Sequence, residues 1–103
     1  MVTFTITRGP SHMANHPARH AKDKTIEVFV DFADGRKGSL GFMSSFHDAI
    51  SGKLQGIYVY DDKGDNLSSE WFGSYQKAMT FCASFLESHY ASKGITAKGL
   101  VAK

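Results

Sequence analysis

The chain has 103 residues, a formal net charge of +2 at neutral pH, eight Phe, four Tyr, one Trp and one Cys. That is the length of one domain, and the aromatic content is that of a folded chain, not a disordered one. No apolar run approaches the ~20 residues of a membrane-spanning helix, and a single cysteine excludes an internal disulfide.

The opening MVTFTITRGP lacks the charged start and apolar run of a secretory signal. With the lone thiol this predicts a cytoplasmic, reducing setting. Charge is uneven: residues 1–24 carry +3, residues 25–92 carry −4 and residues 93–103 carry +3. An acidic body with two basic ends is the resulting picture. Basic ends are ordinarily solvated; the sharper reading is contact with an anionic partner such as nucleic acid.

Residues 2–7 alternate Val, Thr, Phe, Thr, Ile, Thr, a period of two in β-forming residues, with Val2, Phe4 and Ile6 facing inward. Arg8-Gly9-Pro10 ends that strand. Residues 11–24 are polar, interrupted by Pro17, and read as a flexible connector. Ser11-His12-Met13 also resembles a cloning junction, so part of the leader has the alternative reading of an expression scar. Residues 25–32 form the clearest strand, with Ile26, Val28, Val30 and Phe32 alternating against Thr25, Glu27, Phe29 and Asp31. Asp34-Gly35 supplies a hairpin turn. Residues 37–43 return as a strand with Leu40 and Phe42 inward, and Gly38 and Gly41 mark a bulge or an edge.

Near 45–51 the spacing of Phe46, Ala49 and Ile50 predicts a short helix, capped by Ser44 or Ser45 and stopped by Gly52. Residues 54–60 are a further strand, with Ile57 and Val59 on one face and Tyr58 and Tyr60 on the other. Residues 61–66 form a hairpin loop and residues 67–72 a return strand. From 74 to 93 the apolar residues Tyr75, Ala78, Met79, Cys82, Phe85 and Leu86 recur every three or four positions, the signature of one amphipathic helix. Ser74 is its N-cap and Gly94 its terminator. Residues 95–103 have no period and read as a frayed tail. The fold class that follows is α+β. A small antiparallel sheet of four to five strands carries one long C-terminal helix on one face, in a single domain spanning 1–103.

Several constellations bear on chemistry. His12, His16 and His20 are spaced by four, a metal-friendly row on a helix, but Pro17 opposes a helix there and no zinc signature is completed. Cys82 sits on the apolar helix face, and His89 lies ~10 Å along the axis, too far to activate it. Asp61, Asp62 and Asp65 around Gly64 lack the spacing of a calcium loop. Gly35-Arg36-Lys37-Gly38 joins two strands and opens no helix, so it is no phosphate loop. The expectation is a non-enzymatic protein with no cofactor and no metal.

What remains is surface. Phe29, Tyr58, Tyr60 and Trp71 (or Phe72) are candidates for the sheet face away from the helix, with Glu27, Asp31, Asp61, Asp62 and Glu70 in the same strands and turns. Aromatic anchors among acids suit a protein partner better than nucleic acid. The candidate partner-binding set is Phe29, Tyr58, Tyr60, Asp61, Asp62 and Trp71. The bland reading is that several of these complete the core.

The junction Trp71-Phe72-Gly73-Ser74-Tyr75-Gln76-Lys77-Ala78-Met79 resembles the meeting of an aromatic strand end with a Ser-capped helix in small bacterial and phage domains. These include DNA-binding three-strand-plus-helix domains and some phage-encoded anti-CRISPR proteins. The resemblance carries no functional residues across. It implies a phage or mobile-element inhibitor that binds and occludes a host protein complex. The alternative is a nucleic-acid-binding domain using the basic termini and sheet aromatics. A third class, a small enzyme or metal-dependent regulator, would use the histidine-rich segment. Exposed edge strands leave homodimerisation open.

Overall fold

In the computed structural model, residues 1–10 and 23–102 are described. The expectations for the histidine row and for most of the connector lie outside the described residues. Five strands and one helix follow in the order β1 (Val2–Pro10), β2 (Thr25–Phe32), β3 (Lys37–His47), β4 (Leu54–Asp61), α1 (Tyr75–Ala91) and β5 (Ala97–Val101). They form one sheet in the order β4-β3-β2-β1-β5. The class is α+β, but the sheet is mixed: β5 pairs parallel to β1, while every other neighbour is antiparallel.

One face packs on the helix. Phe4, Ile6, Val28, Val30, Met43, Ile57 and Val59 from the strands meet Ala78, Met79, Cys82 and Ala83 of α1. The period-two patterns of β1, β2 and β4 place these residues on the helix face as expected. α1 starts where Ser74, in extended conformation, accepts from the Lys77 amide, and the turn after it closes with Gly94 at φ 76°. Arg8 ties the helix start to β1: its guanidinium lies 5.3 Å from the Tyr75 ring centroid, and Nη1 is 3.7 Å from the Met79 sulfur. A cation assigned by its position to a solvated basic end is therefore engaged within the fold.

β3 corrects the sequence reading. Ser39 pairs with Phe29, but Gly41 pairs with Val28, so Leu40 is an extra residue on β3. A bulge reverses which face later residues take. Leu40 packs against the core as expected, whereas Phe42 moves to the opposite face and Met43 replaces it inside. Gly41 makes this possible. It holds φ 150°, and a Cβ there would run into the Tyr60 carbonyl oxygen and the Asp61 backbone.

The short helix near 45–51 is absent. β3 continues as a strand to His47, pairing Ser45 with Ile57 and Phe46 with Gly56. A turn follows, in which Asp48 Oδ2 accepts from the Ile50 and Ser51 amides and Gly52 adopts φ 72°. The carboxylate offers the backbone an alternative to the helix, and Ile50 is left 97% exposed.

Residues 67–72 do not form the expected return strand. The segment pairs with β4 through the isolated bridges Tyr60–Asn66 and Ile57–Phe72, not through a continuous ladder. Between these, Ser68 Oγ accepts from the Val59 amide at 3.1 Å, and Asn66 Oδ1 accepts from the Ser68 amide at 2.9 Å. Side chains thus take ladder positions that backbone groups would otherwise fill.

The expected frayed tail is instead β5, so the helix is not the C-terminal element. Ala97 and Val101 pack toward the core while Lys98 and Leu100 are exposed. Gly99 lies between them because a Cβ would strike the Phe4 ring and crowd Ala83. No helix among the described residues is long and apolar enough to cross a membrane.

Gly41→Ala forces both a disfavoured backbone and a backbone collision. The expected loss is about 2 kcal/mol or more of unfolding free energy in urea titrations. Gly38→Ala, where the added methyl meets open space, serves as the control and stays within about 1 kcal/mol of the parent.

Candidate protein-binding face

The bulge in β3 creates an aromatic face opposite the helix. Beyond it, Phe42, Ser44 and Phe46 project to that side at two-residue spacing, and β4 presents Tyr60, Tyr58 and Gly56 directly across. Phe42 stacks on Tyr60 with ring centroids 5.1 Å apart and planes 16° from parallel. Tyr60 meets Tyr58 at 6.3 Å, and Tyr58 meets Trp71 at 4.0 Å. Phe46 closes the group, 6.1 Å from Tyr58 and 5.5 Å from Trp71. Aromatic pairs in such geometries contribute roughly 0.5–1.5 kcal/mol each beyond the area they bury.

Trp71 enters this group from the segment after β4. The ring lies over Gly56, the one position across from Phe46 with no side chain; a Cβ at Gly56 would overlap the indole. Glycine in a strand interior here marks the close approach of another group. Trp71 keeps 42% of its surface exposed and Phe42 only 5%, so the row runs from a buried end to a solvent-facing one. Its neighbour Phe72 faces the other way, against Phe81 of α1 at 5.3 Å.

Of the six sequence-derived candidates, the structure brings Tyr58, Tyr60 and Trp71 together. Phe29 shares the face, but its ring lies against Gly9 of β1, apart from the row. Asp61 serves the loop: its Oδ1 accepts from the Lys63 and Asp65 amides, both at 2.9 Å. Asp62 is exposed at the loop tip. Sequence reasoning missed Phe42 and Phe46. The available signal was the alternation Phe42-x-Ser44-x-Phe46, in register with Gly56-x-Tyr58-x-Tyr60.

Two carboxylates of β2 share the outer side of the sheet, which is partly dry. Glu27 pairs across from Phe42 and is buried, and Asp31 stands opposite Thr5 and Lys37. Burial, and secondarily the Tyr58 phenol, hold the Tyr60 hydroxyl above its ordinary value of 10.0. Ser44, between Phe42 and Phe46, is 2% exposed, and its Oγ has no hydrogen-bond partner. A buried hydroxyl in that state costs about 1–3 kcal/mol.

A further polar pair joins β3 to the start of β2. His47 Nδ1 lies 2.9 Å from Asp23 Oδ1, which also accepts from the His47 amide at 2.7 Å. Lys24 and Ser45 are bonded alongside: the Lys24 amide donates to Ser45 Oγ, and the Ser45 amide donates to the Lys24 carbonyl. Residues 23 and 24 are thus held by the end of β3. Among the described residues no group of three or more His, Cys, Asp or Glu is placed to hold a metal. No protein-family model, curated protein or solved structure matches this chain.

Cys82 is wholly buried against the sheet, and burial pushes its thiol from the ordinary 9.0 up to about 12. A folded-state value above the unfolded one stabilises the fold fully below pH 9.0, and that contribution fades as pH rises toward 12. Urea midpoints should therefore fall through this range, and more shallowly for Cys82→Ala. At pH 8 a thiol reagent should label only the unfolded chain.

Gly56→Ala displaces the indole from its seat. The expected result is a red-shifted emission from Trp71, the sole tryptophan, and a loss of about 1–3 kcal/mol in the same scan.

Proposed function

We propose that this protein is a non-enzymatic interaction module that binds a basic segment of a protein partner through the outer aromatic face and acts by occlusion. The observation that carries the reading is the ring row from Phe42 to Trp71, fixed on two paired strands and ending in a partly exposed indole. Rigid Trp and Tyr side chains bury large areas at low entropic cost and dominate binding energies. Residues 25–92, which include the whole row, carry −4. A net-negative body steers a cationic partner, and an exposed indole is the best side-chain surface for Arg or Lys.

The resemblance to phage-encoded inhibitors extends this reading to a host defence complex as the occluded target. That extension rests on size and on the Trp71–Met79 junction. The alternative, a nucleic-acid binder, draws on the same aromatics. Of its basic ends, one strand uses Arg8 within the fold.

Trp71 fluorescence is the direct test. Titration with an Arg/Lys-rich peptide should give a saturable change with a Kd in the range of roughly 1–100 μM, weakened about tenfold or more in Tyr58→Ala. An acidic peptide should give none. A response to single-stranded oligonucleotides, with none to the basic peptide, would sink the protein-partner reading in favour of nucleic acid.

A further inference from the structure

The two edges of the sheet are finished differently. At the β4 edge, residues 66–72 take the outward groups: Ile57 and Phe72 exchange both backbone bonds, Leu67 donates to the Val59 carbonyl, and Ser68 accepts from the Val59 amide. At the other edge stands β5, five residues long. Val2 donates to the Thr96 carbonyl and Ala102 to the Ile6 carbonyl. The even-numbered residues therefore turn their main chain toward β1. The alternation of a strand turns the groups of Ala97, Gly99 and Val101 outward.

One side chain occupies that outward row. Glu87 of α1 reaches down, and its Oε2 accepts from the Gly99 amide at 2.9 Å. The oxygen stands where the carbonyl of a neighbouring strand would stand. A charged side chain at an edge is a known guard against strand addition. Beside it runs an open groove of about 700 Å³ between the edge and the C-terminal half of the helix. Its helix wall is made of the small exposed residues Ser84, Ser88 and Ala91 together with Glu87.

We infer that the β5 edge is a strand-pairing site for a second copy of this chain, with Glu87 as the latch that keeps it closed. The choice of occupant follows from the residues. An antiparallel pairing centred on Gly99 sets Gly99 across from Gly99, Ala97 across from Val101, and Lys98 across from Leu100. No lysine then stands directly across from another. Each Lys98 stem lies along a Leu100 that is otherwise 62% exposed. The small residues of the helix wall let the two helices approach over the seam. Release of Glu87 frees the Gly99 amide for the partner's carbonyl. The +3 charge of residues 93–103 opposes the pairing, so association strengthens with salt, unlike binding of a basic ligand at the aromatic face.

Two experiments on the full chain test this. In sedimentation velocity, Glu87→Ala should self-associate about tenfold more tightly than the parent, more so at about 0.5 M than at about 0.05 M salt. Adding Ala97→Pro, which removes an outward amide without touching the β1 ladder, should return the chain to monomer. A folded Glu87→Ala protein that stays monomeric at about 0.5 mM overturns the proposal, as does a dimer indifferent to Ala97→Pro. The second experiment leaves Glu87 intact. Lys98→Cys and Leu100→Cys proteins are mixed and oxidised; both sites are exposed and Cys82 is buried. Mixed 98–100 disulfides should dominate, because these positions oppose each other in a non-hydrogen-bonded pair. A statistical mixture of 98–98, 98–100 and 100–100 products refutes the register and the site with it.

Discussion

The outer face depends on one extra residue in β3. Before Leu40, the odd positions of β3 lie opposite the odd, outward positions of β2; after it, the even positions do. Without that insertion Phe42, Ser44 and Phe46 would point at the helix, and Met43 and Ser45 would point away. The core would then have to hold two phenylalanines where it holds one methionine, and the outer face would lose the partners of Tyr58 and Tyr60. A single-residue change of register thus decides both what the helix packs on and what a partner can meet. The bulge is affordable because Gly41 occupies it, at a φ that an L side chain rarely adopts and at a backbone spacing that leaves no room for one.

The helix face follows a different rule, closeness. Where α1 passes over β1 and β5 the facing residues are small: Ala78, Cys82 and Ala83 on the helix, Ala97 and Gly99 on the strand. Bulk is supplied by Phe4, Ile6 and Met79 between them. Such a seam brings backbones close together and tolerates little added volume. It also explains why Cys82 is a packing residue: the environment that excludes water is the one that raises its thiol.

These two rules account for what could be read in the sequence. Strands β1, β2 and β4 carry their inward residues at strict two-residue spacing, and α1 is bounded by a serine cap and a glycine terminator, so local pattern alone revealed them. β5 is hidden because its inward residues Ala97 and Gly99 are small enough to fit under a helix while its bulkiest apolar residue, Leu100, points outward, so no inward alternation shows. The false helix near 45–51 arose from Phe46, Ala49 and Ile50 at helical spacing, where Phe46 belongs to a strand and Asp48 builds a turn. The return strand at 67–72 failed because Asn66 and Ser68 satisfy the backbone with side chains. Tyr58, Tyr60 and Trp71 were legible as candidates because they alternate with core residues or flank one. Their partners Phe42 and Phe46 were not, since a bulge shifts face without changing composition.

The seating of Trp71 links the fold to the proposed function. The segment from Asn66 to Phe72 has two tasks: it blunts the β4 edge, and it delivers the indole to the outer face. Phe72 anchors one side of this segment against Phe81 of the helix, while Trp71 lies on Gly56 on the other. Adjacent aromatic residues therefore grip both faces of the sheet's edge, the exposed Trp71 on one and the half-buried Phe72 on the other. An aromatic held in this way loses little conformational freedom when a partner covers it, and preorganisation of this kind separates a binding surface from a merely apolar one. The acids beside the row do not anchor it. In the proposed reading, the sign of charge around the row decides which partner that surface admits.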